Sequence, residues 1–524
     1  ELCRKGAYAS ALRLITEKNP LPFITGTICA HNCMTKCMRN YYDEPVNIRA
    51  TKLVAAEKGY DAYMSKITPP APVTDGRKVA VIGGGPTGMS AAYFVGRAGI
   101  PVTLFEKADR LGGIVRQVIP AFRISDEAID KDVALMEKMG VEVKLNTEAP
   151  SVAELKAQGY THIFFAVGAW KAGRLDIPGN VVPVIGWLRD MKAGKDVSLG
   201  HVAVVGGGNT AMDAARAALR AGAKSSTLVY RRTKKYMPAD AEELEMAIAD
   251  GVEFLELVAP VEQKDGKLIC EKMKLGDPDD KGRRKPVPTG EMVEIPCDTV
   301  VSAVGEKVES EVFTRNGITV DEKGIPAFKT NLEGVYAGGD AMRGPATVVE
   351  GIADAQYFAN AVIGEAHKFA IPAKAVATRE EAVAKKGVLC ESAKCEGNRC
   401  LTCNVVCQVC ADVCPNRANV VIELPDGRQQ ILHVDRMCNE CGNCAVFCPY
   451  DSAPYREKFT LFLTREGFDE SVNNQGFLPL GGKKVLVRLD SKVFEADLDA
   501  KNDLPADIEV FIWTVLTKYA YLMG

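Results

Sequence analysis

The stretch that decides the fold is KVAVIGGGPTGMSAAYFVGRAGIPVTLFEK, residues 78–107. An apolar run leads into a glycine-rich turn, an alanine-rich segment follows, and a second apolar run ends on Glu106. Gly83 allows a tight turn, Gly85 lets a pyrophosphate approach the backbone where a helix starts, and Gly88 allows helix and strand to pack closely. Glu106 stands where an acid accepts a hydrogen bond from a ribose hydroxyl. The stretch therefore predicts a dinucleotide-binding βαβ unit.

Residues 202–232, VAVVGGGNTAMDAARAALRAGAKSSTLVYRR, repeat this pattern. At the end of the second apolar run, Tyr230, Arg231 and Arg232 take the place of Glu106. An acid there binds a free 2'-hydroxyl, whereas arginine accommodates a 2'-phosphate. We therefore predict FAD in the first unit and NADPH in the second, with NADH and a merely solvated basic turn as the alternatives. The turn of the second unit and the start of its helix comprise Gly206, Gly208, Asn209, Thr210 and Ala211.

Eleven of the seventeen cysteines lie between residues 390 and 448. The last four precede Pro449 in a C-x2-C-x2-C-x3-C-P run, which holds a cubane iron-sulfur cluster and lends its fourth cysteine to a second cluster. An upstream run with one extra residue provides the second set, with Cys400 as an alternative to Cys403. A pair of zinc sites is the alternative to clusters. We predict two [4Fe-4S] clusters, one held by Cys403, Cys407, Cys410 and Cys448, and the other by Cys414, Cys438, Cys441 and Cys444.

The composition excludes several classes of protein. A chain of 524 residues, 47% hydrophobic and 25% charged, predicts several ordinary globular domains. A net charge of -3 gives no reason to expect a nucleic-acid partner, and the apolar runs are far shorter than the roughly 20 residues that span a bilayer. Cysteines spaced as metal ligands indicate a reducing compartment, so we expect a cytoplasmic protein. Because Glu1 lies inside a helix-like pattern, we also expect upstream sequence to be missing.

The first 66 residues have helical periodicity and carry three cysteines spaced four apart, Cys29, Cys33 and Cys37. These cysteines, PVNIR at 45–49, the two glycine-rich turns and VYRRTKKYMPA at 229–239 resemble the glutamate synthase small subunit and the N-terminal half of dihydropyrimidine dehydrogenase. The resemblance covers about residues 1–365. The later segments RCLTCNVVCQVCADVCPNRANV and LPADIEVFIWTVLTKY resemble the selenate reductase iron-sulfur subunit family within that group.

The resemblance implies a role for the N-terminal cysteines. In that group the helical domain holds two cubane clusters, shared with a cysteine-rich run just upstream, so Cys29, Cys33 and Cys37 are implied as ligands of one or two further clusters. Lys52 stands where dihydropyrimidine dehydrogenase supplies a glutamine ligand, and a charged lysine cannot ligate. Plain buried thiols are the alternative.

The resemblance also implies how the flavin is held. TNLEGVYAGGDA at 330–341 is similar to the second FAD fingerprint of two-dinucleotide flavoproteins, in which the position of Asp340 binds the ribityl-phosphate region. LGG at 111–113 and IPAFR at 119–123 are similar to the segments that pass the flavin ring in the same class. The flavin contacts implied in addition to the first turn are Pro86, Gly112, Gly113, Pro120, Arg123, Gly339, Asp340 and Thr347.

We therefore expect an α/β multidomain chain in which the nicotinamide unit interrupts the flavin unit. It comprises an α-helical iron-sulfur domain, two Rossmann-like domains, a ferredoxin-like domain with two [4Fe-4S] clusters and a small α+β tail. The expected divisions are 1–75 for the helical domain, 76–180 with 307–370 for the FAD domain, 181–306 for the NAD(P)H domain, 371–394 for a linker, 395–455 for the ferredoxin-like domain and 456–524 for a docking domain.

The expected function is that of an NAD(P)H-dependent flavin and iron-sulfur oxidoreductase subunit. It passes hydride electrons through FAD to the clusters and on to a partner subunit or further domain, of selenate-reductase or glutamate-synthase type. Hydride transfer needs no protein acid or base, so no catalytic side chain is expected and the five histidines are interpreted as structural. A thioredoxin-reductase role would require a CxxC motif beside the nicotinamide unit, where only Cys270 and Cys297 occur. The alternative is a non-catalytic electron-relay or scaffold subunit with structural clusters.

Overall fold

The structure is a computed structural model, and its elements form two parallel α/β sheets, a group of N-terminal helices, an antiparallel arm and a C-terminal mixed sheet. Among the described residues, no helix has the length and apolarity required to cross a membrane. The structure describes residues 2–35, 37–41, 44–197, 199–278, 284–364, 396–400, 408–427, 429–448, 452–471, 474–489 and 492–524.

The N-terminal helices pack around a small apolar core formed by Leu12, Phe23 and Ala56. The fully buried carboxylate of Asp132, from the flavin unit, accepts hydrogen bonds from the backbone N–H groups of Phe23 and Ile24 at 3.1 and 2.8 Å. These N–H groups belong to the first turn of a helix and have no partner within it, so the carboxylate satisfies them. Asp132 thereby joins α2 (Pro22–Ile28) to the first α/β unit. The other N-terminal helices are α1 (Tyr8–Thr16), α3 (Asn32–Thr35) and α4 (Ile48–Met64).

The first parallel sheet has the strand order β15-β4-β1-β2-β3. Its central strand is buried along its whole length, as its continuous apolar run predicts. The strands are β1 (Val79–Ile82), β2 (Val102–Phe105), β3 (Glu142–Lys144), β4 (His162–Phe165) and, from much later in the chain, β15 (Val335–Ala337). The helices are α5 (Pro86–Arg97), α6 (Gly113–Gln117), α7 (Asp126–Glu137), α8 (Val152–Ala157), α12 (Glu311–Thr314), α13 (Asp340–Arg343) and α14 (Val348–Ile363).

The second parallel sheet, of order β6-β13-β7-β8-β9, lies in the chain between β4 and β15. The chain passes between the two sheets through the short antiparallel pair β5 (Lys171–Ala172) and β14 (Glu306–Lys307). The other strands are β6 (Val181–Pro183), β7 (His201–Val205), β8 (Ser225–Tyr230), β9 (Glu253–Glu256) and β13 (Thr299–Ser302). The helices are α9 (Val184–Lys192), α10 (Asn209–Arg220) and α11 (Ala241–Ala249).

An antiparallel arm extends from the second sheet through β10 (Val258–Lys264), β11 (Lys267–Pro278) and β12 (Arg284–Pro296). Its edge strands contain prolines, which lack the N–H group that a further strand would need. These prolines are Pro260, Pro286, Pro288 and Pro296.

The C-terminal part is built on one six-stranded sheet, which runs in chain order from β16 to β21. The boundary predicted between residues 455 and 456 falls between two neighbouring strands of this sheet. The strands are β16 (Asn419–Glu423), β17 (Gln429–Val434), β18 (Thr460–Leu461), β19 (Gly476–Gly481), β20 (Lys484–Leu489) and β21 (Lys492–Asp497). The helices are α15 (Glu396–Arg399), α16 (Val409–Asp412), α17 (Asn443–Val446), α18 (Pro454–Glu457), α19 (Arg465–Glu470) and α20 (Ala506–Lys518).

Candidate functional site

The turn after β1 is shaped by glycines that lie against other backbone. Gly83 has φ +102°, and a Cβ there would lie 2.5 Å from the carbonyl oxygen of Ala166. A Cβ on Gly88 would collide with the carbonyl oxygen of Gly83. Gly85 precedes α5, so the first N–H groups of that helix point out of the turn. This arrangement fits a pyrophosphate at a helix N-terminus.

Glu106 lies beneath the turn. It is buried, its Oε2 accepts a hydrogen bond from the N–H of Gly84 at 2.6 Å, and its Oε1 accepts one from the N–H of Ala108 at 2.8 Å. These bonds hold the carboxylate at the end of β2. Gly113 faces the turn from the other side with φ +53°, and a Cβ there would lie 2.8 Å from the Cα of Gly85. Gly85 and Gly113 therefore lie close together without side chains, beside the proposed path of the cofactor.

The loop after β15 completes this site. Gly339 has φ +65° and leads into α13, where Asp340 Oδ1 accepts a hydrogen bond from the N–H of Ala346 at 3.1 Å. Burial raises the pKa of Asp340 to about 6. Thr347 caps the long helix α14 in a capping box with Glu350. The N-terminus of α14 thus faces the same space as that of α5, and both favour negative charge there.

A single cavity of about 940 Å³ joins these elements. It also extends to Cys29 and to the start of α10 in the second sheet. Its wall includes Asp213, Trp170, Arg189 and Glu306, which we did not predict from the sequence. Of these, Asp213 had a signal: it is a carboxylate one turn into an alanine-rich helix that follows a glycine turn. The predicted residues in its wall are Gly83, Gly85, Pro86, Glu106, Gly113, Arg123, Asn209, Thr210, Asp340 and Thr347.

The second glycine turn is built like the first. A Cβ on Gly206 would collide with the carbonyl oxygen of Ala303, and Gly208 precedes α10 with open space around it. Tyr230 occupies the position of Glu106. Its ring lies against Gly207, and its hydroxyl donates a hydrogen bond to the carbonyl oxygen of Tyr236 at 2.7 Å. The position that Glu106 holds in the first unit therefore carries no carboxylate in the second.

The two arginines after Tyr230 remain accessible. Arg231 is exposed and Arg232 is half-buried, and in the described part of the chain neither forms an ion pair. Arg232 donates one hydrogen bond, from Nε to the carbonyl oxygen of Arg284 at 3.4 Å. Their guanidinium groups suit a 2'-phosphate.

Arg123 joins the two nucleotide-binding units. Its Nη1 lies 2.7 Å from Asp213 Oδ1, and both of its Nη atoms donate to the carboxylate of Glu243, with Nη2 at 2.6 Å from Oε1. Burial raises the pKa of Asp213 to about 6, and Arg123 opposes that shift. Arg123, predicted as a flavin contact, therefore directs its guanidinium to the nicotinamide unit while still lining the cavity.

Two of the N-terminal cysteines lie together beside a lysine. Lys52 Nζ donates a hydrogen bond to Cys29 Sγ at 3.6 Å. Burial raises the pKa of the Cys33 thiol, the nearby Cys29 raises it further, and Lys52 lowers it. Cys37 is half-buried after the next turn. Lys52, at the position of a glutamine ligand in the resembling enzyme, thus donates a hydrogen bond to a cysteine sulfur.

The C-terminal cysteines that the structure describes gather at one end of the mixed sheet. Burial raises the pKa of Cys438, as do the neighbouring Cys444 and Cys414. Backbone N–H groups donate to sulfur at Cys414, from Ala418 at 3.2 Å, and at Cys438, from Glu440 at 3.3 Å. Hydrogen bonds of this kind tune iron-sulfur centres. The remaining described cysteines after residue 390 are the half-buried Cys400, the buried Cys410, the exposed Cys441 and the half-buried Cys448.

Cys403 and Cys407 lie outside the described residues, as do Cys390 and Cys395. Within the described residues, no three His, Cys, Asp or Glu side chains converge on a point where one metal ion could sit. A cubane differs from a single ion because it receives its four sulfurs at separate iron corners. Cys414, Cys438 and Cys444 lie close enough together for the two neighbours to raise the pKa of Cys438.

Fold and site together define a class: an oxidoreductase with two dinucleotide-binding units and an iron-sulfur domain. Residues 77–355 match the model of the pyridine nucleotide-disulphide oxidoreductases, and residues 1–62 match that of dihydropyrimidine dehydrogenase domain II, 4Fe-4S cluster. The chain belongs to the pyridine nucleotide-disulphide oxidoreductase family. Its cofactors are FAD, NADP and a [4Fe-4S] centre, which confirms the predicted family and cofactor types.

Three relatives show the extent of the similarity. The chain is 41% identical to the oxidoreductase YgfK of Escherichia coli (strain K12), over 99% of this chain and 53% of that protein. It is 34% identical to the NADPH-Fe(3+) oxidoreductase subunit beta of Geobacter sulfurreducens, over 71% of this chain and 60% of that one. It is 32% identical to the glutamate synthase [NADPH] small chain of Halomonas elongata, over 67% and 81% respectively. The chain therefore spans about half the length of YgfK.

Proposed function

We propose that this chain supplies electrons to a partner subunit or further domain, taking them from NADPH through FAD and releasing them through [4Fe-4S] clusters. The observation that carries the proposal is the cavity of about 940 Å³, whose wall combines the first glycine turn, the start of α10 and Cys29. A hydride donor, a flavin and a thiolate-bound cluster would thus share one cavity.

The chemistry divides between cofactor and protein. Bound flavin accepts two electrons as hydride and can release them one at a time, which a cubane requires. The protein binds and orients: two helix N-termini favour the pyrophosphate, Glu106 favours the ribose, and Asp340 favours the ribityl region. We propose no side chain as an acid or base for hydride transfer. The residues proposed to hold FAD are Gly83, Gly85, Pro86, Gly88, Glu106, Gly112, Gly113, Pro120, Arg123, Gly339, Asp340 and Thr347.

NADPH rather than NADH is the proposed donor. The exposed Arg231 and the half-buried Arg232 support this, because they stand where a 2'-phosphate would lie and the ring of Tyr230 has replaced the acid. The turn and helix start proposed to hold the rest of the nucleotide are Gly206, Gly208, Asn209 and Thr210.

We retain the cluster assignments as proposals. The closeness of Cys414, Cys438 and Cys444 supports one C-terminal cluster with Cys441 as the fourth ligand. Cys448 and Cys410, with Cys403 and Cys407, would hold the other. The closeness of Cys29 to Cys33 and the match of residues 1–62 support a further N-terminal centre that includes Cys37.

The domain divisions and the setting of the chain are also proposals. The continuous mixed sheet favours one C-terminal unit in place of separate ferredoxin-like and docking domains at 395–455 and 456–524. Cysteines spaced as ligands support a reducing, cytoplasmic setting. The acceptor would belong to a partner subunit, as the names of the beta subunit and small-chain relatives suggest.

The test is Cys441→Ser in the purified protein under anaerobic conditions. Flavin reduction by NADPH should keep its rate, whereas reduction of a one-electron acceptor should slow at least tenfold, because one cluster loses an exposed ligand. Cys270→Ala, at a buried thiol in β11 remote from the proposed ligands in sequence, is the control and should leave both rates unchanged. Equal loss of both rates in Cys441→Ser would make that cluster structural and contradict the proposal.

A further inference from the structure

Two adjacent carboxylates at the start of α11 face different neighbours. Glu243 is buried and Glu242 is half-buried, and both belong to the nicotinamide unit. Neither lies on the cavity wall. Each is nevertheless bound to a segment that does contribute to that wall, and the two segments come from different parts of the protein.

Glu243 binds Arg123 in residues 119–123, the segment proposed to pass the flavin ring and called the flavin loop below. It accepts hydrogen bonds from both Nη atoms of Arg123, and the same guanidinium reaches Asp213 at 2.7 Å. The side chain of Arg123 is 13% exposed and that of Glu243 is 5% exposed, so this contact is screened little by solvent. Next to it, the ring of Phe122 lies 5.0 Å from the guanidinium of Arg216. The flavin loop is thus fixed to α10 and α11 by one buried charge cluster.

Glu242 holds the cysteine segment. Its Oε2 lies 2.8 Å from Nε2 of His31, the residue midway between Cys29 and Cys33. Both of its oxygens lie 3.2 Å from Nη2 of Arg49, whose Nη1 donates to the carbonyl oxygen of Cys29 at 3.3 Å. The hydrogen bond from His31, followed by the positive charge of Arg49, lowers the pKa of Glu242. The carboxylate of Glu242 therefore contacts residues 29–33, the cysteine loop, directly at His31 and indirectly through Arg49.

We propose that Glu242 and Glu243 are positioning residues with separate tasks: Glu243 sets the nicotinamide unit against the flavin loop for hydride transfer, and Glu242 sets the cysteine loop for the electrons that leave. This inference rests on the proposed route from NADPH through flavin to clusters. It goes beyond that route because it assigns each half of the reaction to one of two neighbouring side chains, neither of which touches a cofactor-binding turn.

The physical reason for separate effects is geometric. Hydride transfer depends steeply on the placement of donor and acceptor, and a displacement of about 1 Å can cost on the order of a hundredfold in rate. Electron transfer from the flavin to a cluster also slows as the distance between them grows, but less steeply. Glu243→Gln weakens a buried ionic contact to the flavin loop and leaves the cysteine loop held. Glu242→Gln weakens the contacts of His31 and Arg49 and leaves Arg123 in place.

The experiment is anaerobic rapid mixing of the purified, cofactor-loaded protein with NADPH, with flavin absorbance and the EPR signal of reduced clusters followed separately. Glu243→Gln should slow flavin bleaching by about tenfold or more. Glu242→Gln should bleach at the unaltered rate but show cluster signals that appear several-fold later, because the distance to the cluster changes. Arg49→Gln should reproduce the second result. The matched control is Glu245→Gln, an exposed glutamate on the same helix, which should change neither rate.

Circular dichroism and flavin content show whether each variant is folded and loaded. If Glu243→Gln does not fold, Arg123→Lys tests the same contact and should slow bleaching alone. Equal effects of Glu242→Gln on both phases, or rates equal to those of Glu245→Gln, would overturn the inference. If the flavin of the unaltered protein bleaches without reduction of any cluster, the proposed electron route is wrong. The role of Glu243 is then tested by the bleaching rate alone, which Glu243→Gln should still lower.

Discussion

The glycines of the two turns fall into two groups, those that the fold itself requires and those that it does not. Gly85 has φ -76° and ψ -178°, and Gly208 has φ -97° and ψ 172°, which any residue can adopt. A Cβ at Gly208 would meet nothing within 4 Å, and one at Gly85 would make only an ordinary contact, 3.8 Å from the Cα of Gly113. At Gly206, by contrast, a Cβ would collide with the protein itself. Neither position therefore requires glycine for the fold, and we propose that both glycines leave room for bound pyrophosphate.

We predict that the Gly208→Ala variant keeps its fold but binds NADPH more weakly. The KM for NADPH in flavin reduction should rise about tenfold or more, because the methyl group occupies the space of the pyrophosphate, and the Tm should stay unchanged. Gly206→Ala is the comparison and should lower the Tm, since the carbonyl of Ala303 must move. An unchanged KM in Gly208→Ala would show that the nucleotide binds elsewhere.

Among the elements, the mixed sheet ties the cysteine-bearing part to the tail. Ile422 and Leu432 of the first strands share one core with Phe477 of β19 and Phe511 of α20. The N–H of Glu423 also donates a hydrogen bond to the hydroxyl of Tyr519 at 2.8 Å. The tail thus supports the C-terminal cysteines by packing.

His433 on β17 makes this unit sensitive to acid. It is buried, its ring lies 3.0 Å from Asn419 Oδ1, and burial lowers its pKa to about 4. Between about pH 6.5 and 4 the unfolded chain binds a proton that the folded chain does not, so stability falls as the pH falls through this window, by up to about 3 kcal/mol.

His433→Gln should remove that dependence. Hydrogen exchange of the peptides that cover β17 and β20, followed by mass spectrometry between pH 4 and 7 and corrected for intrinsic exchange, measures the local free energy of opening. We expect protection to fall toward pH 4 in the unaltered protein and to vary much less in the variant. The same fall in both proteins would assign the acid sensitivity to another group.

The sequence revealed those elements whose chemistry demands fixed residue types at fixed spacing. Gly83, Gly85 and Glu106 could be identified because a pyrophosphate and a ribose dictate where they stand. The strand β18 could not be predicted, because two residues, Thr460 and Leu461, have no periodicity. The tail was expected to be a small docking domain because its sequence indicates a strand at 485–489 and a helix at 508–521.

At the scale of the whole molecule, the contacts that join the units escaped prediction. Arg123 lies 120 residues from Glu243, and His31 lies 211 residues from Glu242. Such pairs depend on how folded units approach, and a charged residue in a single sequence does not indicate its distant partner. The cavity that unites the two turns was therefore not predicted, and the residues assigned to each nucleotide-binding turn stay predictions.

The central claim is that electrons enter as hydride at the flavin and leave singly through the clusters. The most direct measurement is rapid freezing of the anaerobic protein at intervals after mixing with NADPH, with flavin absorbance and cluster EPR recorded on the same mixture. We predict that the flavin bleaches first, and that cluster signals then grow as the flavin recovers, with about one electron per cluster and two per NADPH. Bleached flavin with clusters that stay oxidised while an added acceptor is reduced would contradict the claim.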